Sequence, residues 1–239
     1  NSDDLWDGIG GHFSSLSQVI HELVDNRISN FRNNNGLNHR SVFIHFDTIN
    51  AGADKVNVTV EDTGTGLLDL SAAFTLGDRS ARESALNEHG FGLKHALASS
   101  NPDNDAWEIF TRRKEDLENN NVLYFKAPYT FNEFGYHNNS FNPDNYPTFL
   151  GNVHTGTIIR FTTSLDFYNT MGKHGAKVPN KVLAHLIEDL GFIYSEVINS
   201  NEVDLQVRLN ENEKIFVKSV NPIIKSTLRP EGKEISLDL

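Results

Sequence analysis

The chain has 239 residues, a formal net charge of −11 and no cysteine. With 38% hydrophobic residues it holds enough apolar material for a packed core, which excludes disorder as an overall description. The acidic balance repels phosphate backbones at long range, so broad nucleic-acid binding is not the first expectation, although it leaves room for a local basic patch, as around Arg112, Arg113 and Lys114. Disulfides and thiolate metal sites are excluded, and no apolar run reaches membrane-spanning length. The polar start Asn1-Ser2-Asp3-Asp4 lacks Met and reads as a trimmed end rather than a signal peptide, so the expected setting is soluble and cytoplasmic, or nuclear in a eukaryote.

Taken in order, Phe13, Leu16, Val19, Ile20, Leu23, Val24 and Ile28 recur with helical spacing and predict a helix over 13–30 with one buried face. Strands follow at Ser41–Asp47 and Lys55–Asp62, both alternating and rich in β-branched or aromatic residues, and Gly64 and Gly66 end the second. A short helix is expected over 67–74, a polar mobile loop over 77–89, and a helix over 93–99 opened by Gly90-Phe91-Gly92. Strands are predicted at 107–113 and 121–127, a long loop at 130–154 and a strand at 156–163. Met171 to Lys181 carries Gly, Lys and Pro and looks like a linker, which places a boundary near residue 168. Pro179 starts a helix to about Asn199, and strands at 203–209 and 214–220 close the pattern.

Four segments carry chemistry. On the first helix Glu22 and Asn26 are four apart, so they share a face one turn from each other. An Asn amide oxygen is a neutral hard ligand suited to Mg²⁺ held mainly by phosphates and water, and a carboxylate beside it can orient and deprotonate a water for attack on a terminal phosphate. The same residues also suit an ordinary amphipathic helix with a solvated polar face. In Glu61-Asp62-Thr63-Gly64-Thr65-Gly66, Asp62 at a strand end can accept from an exocyclic amine such as that of adenine. The glycines let backbone pass close to a flat ring. A plain Asp-Gly turn is the alternative. Gly90-Phe91-Gly92-Leu93-Lys94 combines free amides at a helix start with a cation, a phosphate-binding arrangement or simply a glycine hinge with Lys94 in solvent. Thr155-Gly156-Thr157 leads into a strand, where Thr157 can donate near a base or merely follow a turn.

In their order and spacing these segments resemble the GHKL superfamily of gyrase, the ninety-kilodalton heat-shock chaperone, histidine kinases and MutL, over residues 12 to 165. No Walker-type Gly-x-x-x-x-Gly-Lys-Ser/Thr occurs, which disfavours a P-loop enzyme. The resemblance implies an α+β protein, a two-layer α/β sandwich of the Bergerat ATP-binding type. An ATP-binding domain would span 1–168, followed at 169–239 by the start of a transducer-like segment. By motif, Glu22 looks like the general base and Asn26 the Mg²⁺ ligand. Asp62 looks like the adenine reader with Gly64 and Gly66 beside the base. Gly90, Phe91, Gly92, Leu93 and Lys94 look like the phosphate-binding turn, and Thr157 like the Thr that supports the adenine carboxylate.

Histidine kinases usually carry Asn where Glu22 stands, so Glu22 favours the hydrolysing branches. Ala73 to Ser80 and His89 to His95 are similar to the lid of microrchidia (MORC) ATPases, with Leu93 in place of Phe and His95 in place of Ser. No Gln-x-Lys loop supplies the transducer lysine of such relatives; Lys173 and Lys177 are candidate substitutes, and otherwise the residue lies outside this chain. The resemblance thus implies ATP and Mg²⁺ as ligands, slow hydrolysis, and an ATP-gated homodimer clamp acting on DNA or protein clients through regions outside this chain, without a membrane. The other readings it leaves are phosphotransfer to a partner histidine and a non-hydrolysing ATP-dependent scaffold.

Overall fold

A computed structural model describes residues 2–34, 40–67, 92–128, 141–151 and 154–220, with the side chains of the first few of these left aside. The expected short helix over 67–74 and the polar loop over 77–89 therefore fall almost wholly outside the described residues, as do Gly90 and Phe91.

Helices α1 (Ser2–Gly10) and α2 (Leu16–Arg32) precede strands β1 (Ser41–Asp47) and β2 (Lys55–Asp62). Next come α3 (Gly92–Ser100), β3 (Trp107–Arg112), α4 (Lys114–Glu118), β4 (Leu123–Lys126) and β5 (Gly156–Ser164). The chain continues through α5 (Leu165–Asn169), α6 (Pro179–Ile193), α7 (Ser195–Asn199), β6 (Asp204–Leu209) and β7 (Ile215–Phe216). The strands form one seven-stranded sheet in the order β4-β3-β5-β2-β1-β6-β7. Every pairing is antiparallel except that of β1 with β6.

Strand alternation sorts the sheet into two faces. Val42, Ile44 and Phe46 of β1, Val56, Val58 and Val60 of β2, and Ile159 and Phe161 of β5 join the apolar faces of the helices in the main core. The predicted first helix begins at Leu16 rather than Phe13. Ser15 caps it, accepting from the Gln18 amide while the Gln18 side chain returns to the Ser15 amide. Leu16, Val19, Ile20, Leu23 and Val24 are wholly buried, as their spacing requires.

The second sheet face is partly covered by residues 141–151, within the stretch expected to be a long loop. Phe141 and Tyr146 pack on Phe110, Val122 and Ile158. The Glu61 carboxylate accepts from the Thr148 hydroxyl and from the Phe149 amide at 2.7 Å.

The strands expected in the transducer-like segment extend this same sheet, with Ser41 opposite Asp204 and Phe46 opposite Leu209. In the stretch expected to be a linker, Met171 is buried and the Lys173 amide donates to His185 Nδ1 at 2.9 Å, while residues 173–175, 177, 178, 180 and 181 are exposed. The expected helix over 179–199 breaks at Tyr194, whose φ of −99° and ψ of 19° leave the helical region and divide it into α6 and α7. The last predicted strand shrinks to Ile215–Phe216, because beyond it the Val220 amide turns away to the Gly191 carbonyl of α6 at 2.8 Å.

Candidate functional site

Helix α2 positions the first pair. The Asn26 amide nitrogen donates to Glu22 Oε1 at 3.1 Å, so the two side chains meet across one helical turn. Burial raises the Glu22 carboxyl above the ordinary glutamate value, against the opposing pull of the Asn26 hydrogen bond and the His12 charge.

The start of α3 lies directly on this pair. A Cβ on Gly92 would overlap the Glu22 carboxylate oxygen, so glycine is what lets the two segments meet. Leu93 packs against the core and Lys94 is only 1% exposed, which rules out the reading of Lys94 as a solvated surface cation. Beside it, burial together with the charges of His12 and Lys94 pushes His95 down to about 4, leaving it neutral near pH 7. The rings of His95 and His12 stack at 4.2 Å.

Asp62 closes the other end of the site, at the end of β2 and in phase with the core-facing Val60. The Gly64 amide donates to Asp62 Oδ1 at 2.8 Å, and the Thr157 amide approaches the same oxygen at 3.3 Å. Oδ2 lies 3.3 Å from Arg27 Nε, in a pair whose side chains are 6% and 8% exposed. Burial drives the Asp62 carboxyl upward, opposed by Arg27 and by the two amides. Gly156 permits this contact, because any Cβ there would overlap the Asp62 carbonyl oxygen. Thr157 thus reaches Asp62 through its backbone, while its hydroxyl sits 3.3 Å from that of Thr111, its register partner on β3.

The turn after Asp62 is tied down on three sides. The Thr155 hydroxyl donates to the Gly64 carbonyl at 2.6 Å. Asn30 exchanges two bonds with Thr65, accepting from its amide at 3.1 Å and donating to its hydroxyl at 2.8 Å. Past Gly66, at φ 79°, the Leu67 amide donates to the Thr111 hydroxyl at 2.8 Å.

Of the residues singled out in the sequence, Glu22, Asn26, Gly92 and Lys94 thus belong to the adjoining segments of α2 and α3. Asp62, Gly64, Gly66 and Thr157 gather at the ends of β2 and β5. Arg27 and Asn30, on the same helix as Glu22, connect the two groups. Sequence reasoning missed Arg27, Asn30 and Thr111. The available signal was polar residues at 27 and 30 in line with Leu23 on the buried side of an amphipathic helix, where an unpaired polar group is costly. Lys173, a candidate for the missing transducer lysine, is engaged by Asp189 at 2.6 Å and Glu188 at 3.8 Å, and Lys177 is exposed. A cleft of about 270 Å³ lined by Asn57, Asp105, Trp107 and Arg160 lies at the opposite end of the same strands and contains none of these residues.

No family model matches the chain, and no curated protein matches it. Among solved structures it is similar to the N-terminal domain of a DNA repair protein, at 16% identity and a TM-score of 0.47, covering 92% of this chain and 56% of that one. It is also similar to the ATPase region of Saccharomyces cerevisiae topoisomerase II bound to ICRF-187 (dexrazoxane), at 12% identity and a TM-score of 0.50, covering 85% of this chain and 50% of that one. The chain therefore spans about half the length of these structures. At such identities the likeness is one of fold alone: a mixed sheet with helices, α+β in class. Among the described residues no helix is long and apolar enough to cross a membrane.

Proposed function

We propose that this chain binds Mg²⁺-ATP between the Glu22–Asn26–Gly92 group and Asp62, hydrolyses it slowly, and uses the bound nucleotide to close a homodimer. The observation that carries the reading is the packing of Gly92 against the Glu22 carboxylate. It joins the start of one helix to a carboxylate and an amide on another.

The residues fit the ligands by their chemistry. Among the described residues there is no group of three His, Cys, Asp or Glu able to hold a metal, so a cation here would draw most of its ligands from phosphate and water, as Mg²⁺ does. Bound at Asn26, Mg²⁺ would neutralise charge on the phosphate oxygens. Glu22, whose carboxyl burial lifts above the ordinary glutamate value, is placed to take a proton from an attacking water. Lys94, buried at the start of α3, supplies positive charge on the phosphate side. Asp62 accepts the exocyclic amine of the base, and the turn at Gly64 and Gly66 lies beside the ring. Clients, DNA or protein, would be engaged by parts of the protein outside this chain, and the MORC-like character rests on the lid phrase in the sequence.

The test is a pair of variants and a mass measurement. Glu22→Ala should bind ATP and lose hydrolysis, whereas Asp62→Asn should lose binding. Light scattering should show a doubled mass with a non-hydrolysable ATP analogue and a single-chain mass without it. Hydrolysis by Glu22→Ala at the wild-type rate would remove Glu22 from the reaction. An unchanged mass with the analogue bound would remove the clamp.

A further inference from the structure

Arg27 has no role in the mechanism above, yet it is one of the more costly residues in the site. It is 5% exposed and occupies the sheet-facing side of α2, one residue after Asn26. A buried guanidinium must be compensated. Two contacts do this: Nη1 donates to the Leu23 carbonyl at 2.6 Å, and Nε faces Asp62 Oδ2 at 3.3 Å. Nη2 has no hydrogen-bond partner among the described residues.

Asp62 has the complementary problem. Its Oδ1 is taken by the Gly64 and Thr157 amides, which leaves Oδ2, beside Arg27, as the oxygen able to receive a base. The charged groups around it are few. Arg27 comes from α2. Glu61, next on β2, is engaged on the other sheet face by Thr148 and Phe149. Tyr146, under Arg112 at 4.5 Å, feels the Asp62 charge from the 141–151 segment. Among the described residues, Arg27 is the cation whose field reaches the Asp62 carboxylate.

Resting on the nucleotide reading above, we infer that Arg27 is a positioning residue: it holds Asp62 as an oriented anion and so makes the site select a base that carries an exocyclic amine. An ionised carboxylate only accepts hydrogen bonds, which suits the donor amine of adenine. A protonated one donates, which suits a carbonyl at the same ring position. Without Arg27, only the Gly64 and Thr157 amides oppose the upward pull of burial on Asp62, and the neutral acid takes over as pH falls. The residue would thus set both the pH range and the base preference of binding without touching the nucleotide.

The experiment measures ATP and ITP affinity across about pH 6 to 9, a window reaching from the acid side of neutrality to well above it. ITP differs from ATP by a carbonyl in place of the amine. The wild-type protein should prefer ATP at every pH. Arg27→Met should bind ATP more weakly by about ten-fold for each unit below the raised Asp62 value, recover as pH rises, and lose its preference over ITP at the acid end. Arg27→Lys should restore the flat profile. It also carries the test if Arg27→Met does not fold, since a Lys variant that folds but loses ATP contradicts the role. Wild-type affinity for ITP equal to or above that for ATP would mean that Nη2 meets the base directly, overturning the positioning role. A pH-independent Arg27→Met overturns it also. Failure of the wild-type protein to bind ATP at any pH would instead overturn the nucleotide reading itself.

Discussion

At the scale of single residues, the site is organised by what burial does to carboxylates. The carboxyl groups of Glu22 and Asp62 are each lifted by desolvation and partly pulled back by a neighbour. For Glu22 the consequence is a stability that depends on pH in a definite sense. A carboxyl whose folded value is raised holds its proton more tightly in the folded state, so its contribution is greatest in acid and is lost as pH rises through that value. Glu22→Gln keeps the oxygen that accepts from Asn26 and removes the titration. It should therefore melt at a higher temperature than the wild-type protein at pH 8, with the gap closing toward about pH 4, near the ordinary glutamate value. A gap that stays constant or widens in acid would show that the carboxylate is not strained at neutral pH. Glu22 and Asn26 were legible because a helical period puts positions four apart on one face. Arg27 was not, because the same period assigned its position to the apolar face, and only the sheet below reveals the anion that compensates it.

At the scale of elements, α2 is held from both ends of the chain. The Tyr194 hydroxyl, at the end of α6, donates to Asp25 Oδ1 at 2.8 Å and lies 3.2 Å from the His21 carbonyl. Asp25 and His21 flank Glu22, so the helix that bears the proposed base is clamped by the helix that follows Pro179. Tyr194→Phe keeps the ring packed on His21 and removes the hydroxyl, leaving Asp25 without that donor. The expected cost is about 0.5–1.5 kcal/mol in denaturant unfolding, the net range for losing one hydrogen bond, because Asp25 is only half-buried. A cost below about 0.5 kcal/mol, within the range of ordinary surface changes, would mean that water replaces the tyrosine fully.

The strong periods in α2, β1, β2 and β5 gave those elements away. Helices α1, α4 and α5 were not legible. The start of α1 is polar, with Trp6 and Ile9 as its buried anchors. Helices α4 and α5 have five residues each, too few for a period to show. The contribution of residues 141–151 was hidden for another reason: Phe141 and Tyr146 pack on Phe110 and Ile158 and Phe149 lies beside Phe43, and positions 141, 146 and 149 follow neither a helical nor a strand period.

At the scale of the whole molecule, the parallel ladder between β1 and β6 joins the two halves into one sheet whose helix-facing side bears the site. The sequence suggested a change of segment near residue 168 from composition, and composition carries no information about which strand a later strand will pair with. The six register pairs of that ladder have a practical consequence for any shortened chain. Ending the protein at residue 168 would strip β1 of its neighbour and leave a bare row of amides and carbonyls along an apolar strand, with Phe46 and Ile44 on its inner face. Such a fragment should associate through that open border and sediment as large, heterogeneous species, whereas the 239-residue chain without nucleotide should sediment as one. A fragment that remains a well-behaved monomer would show that β6 merely rests against the sheet instead of completing it.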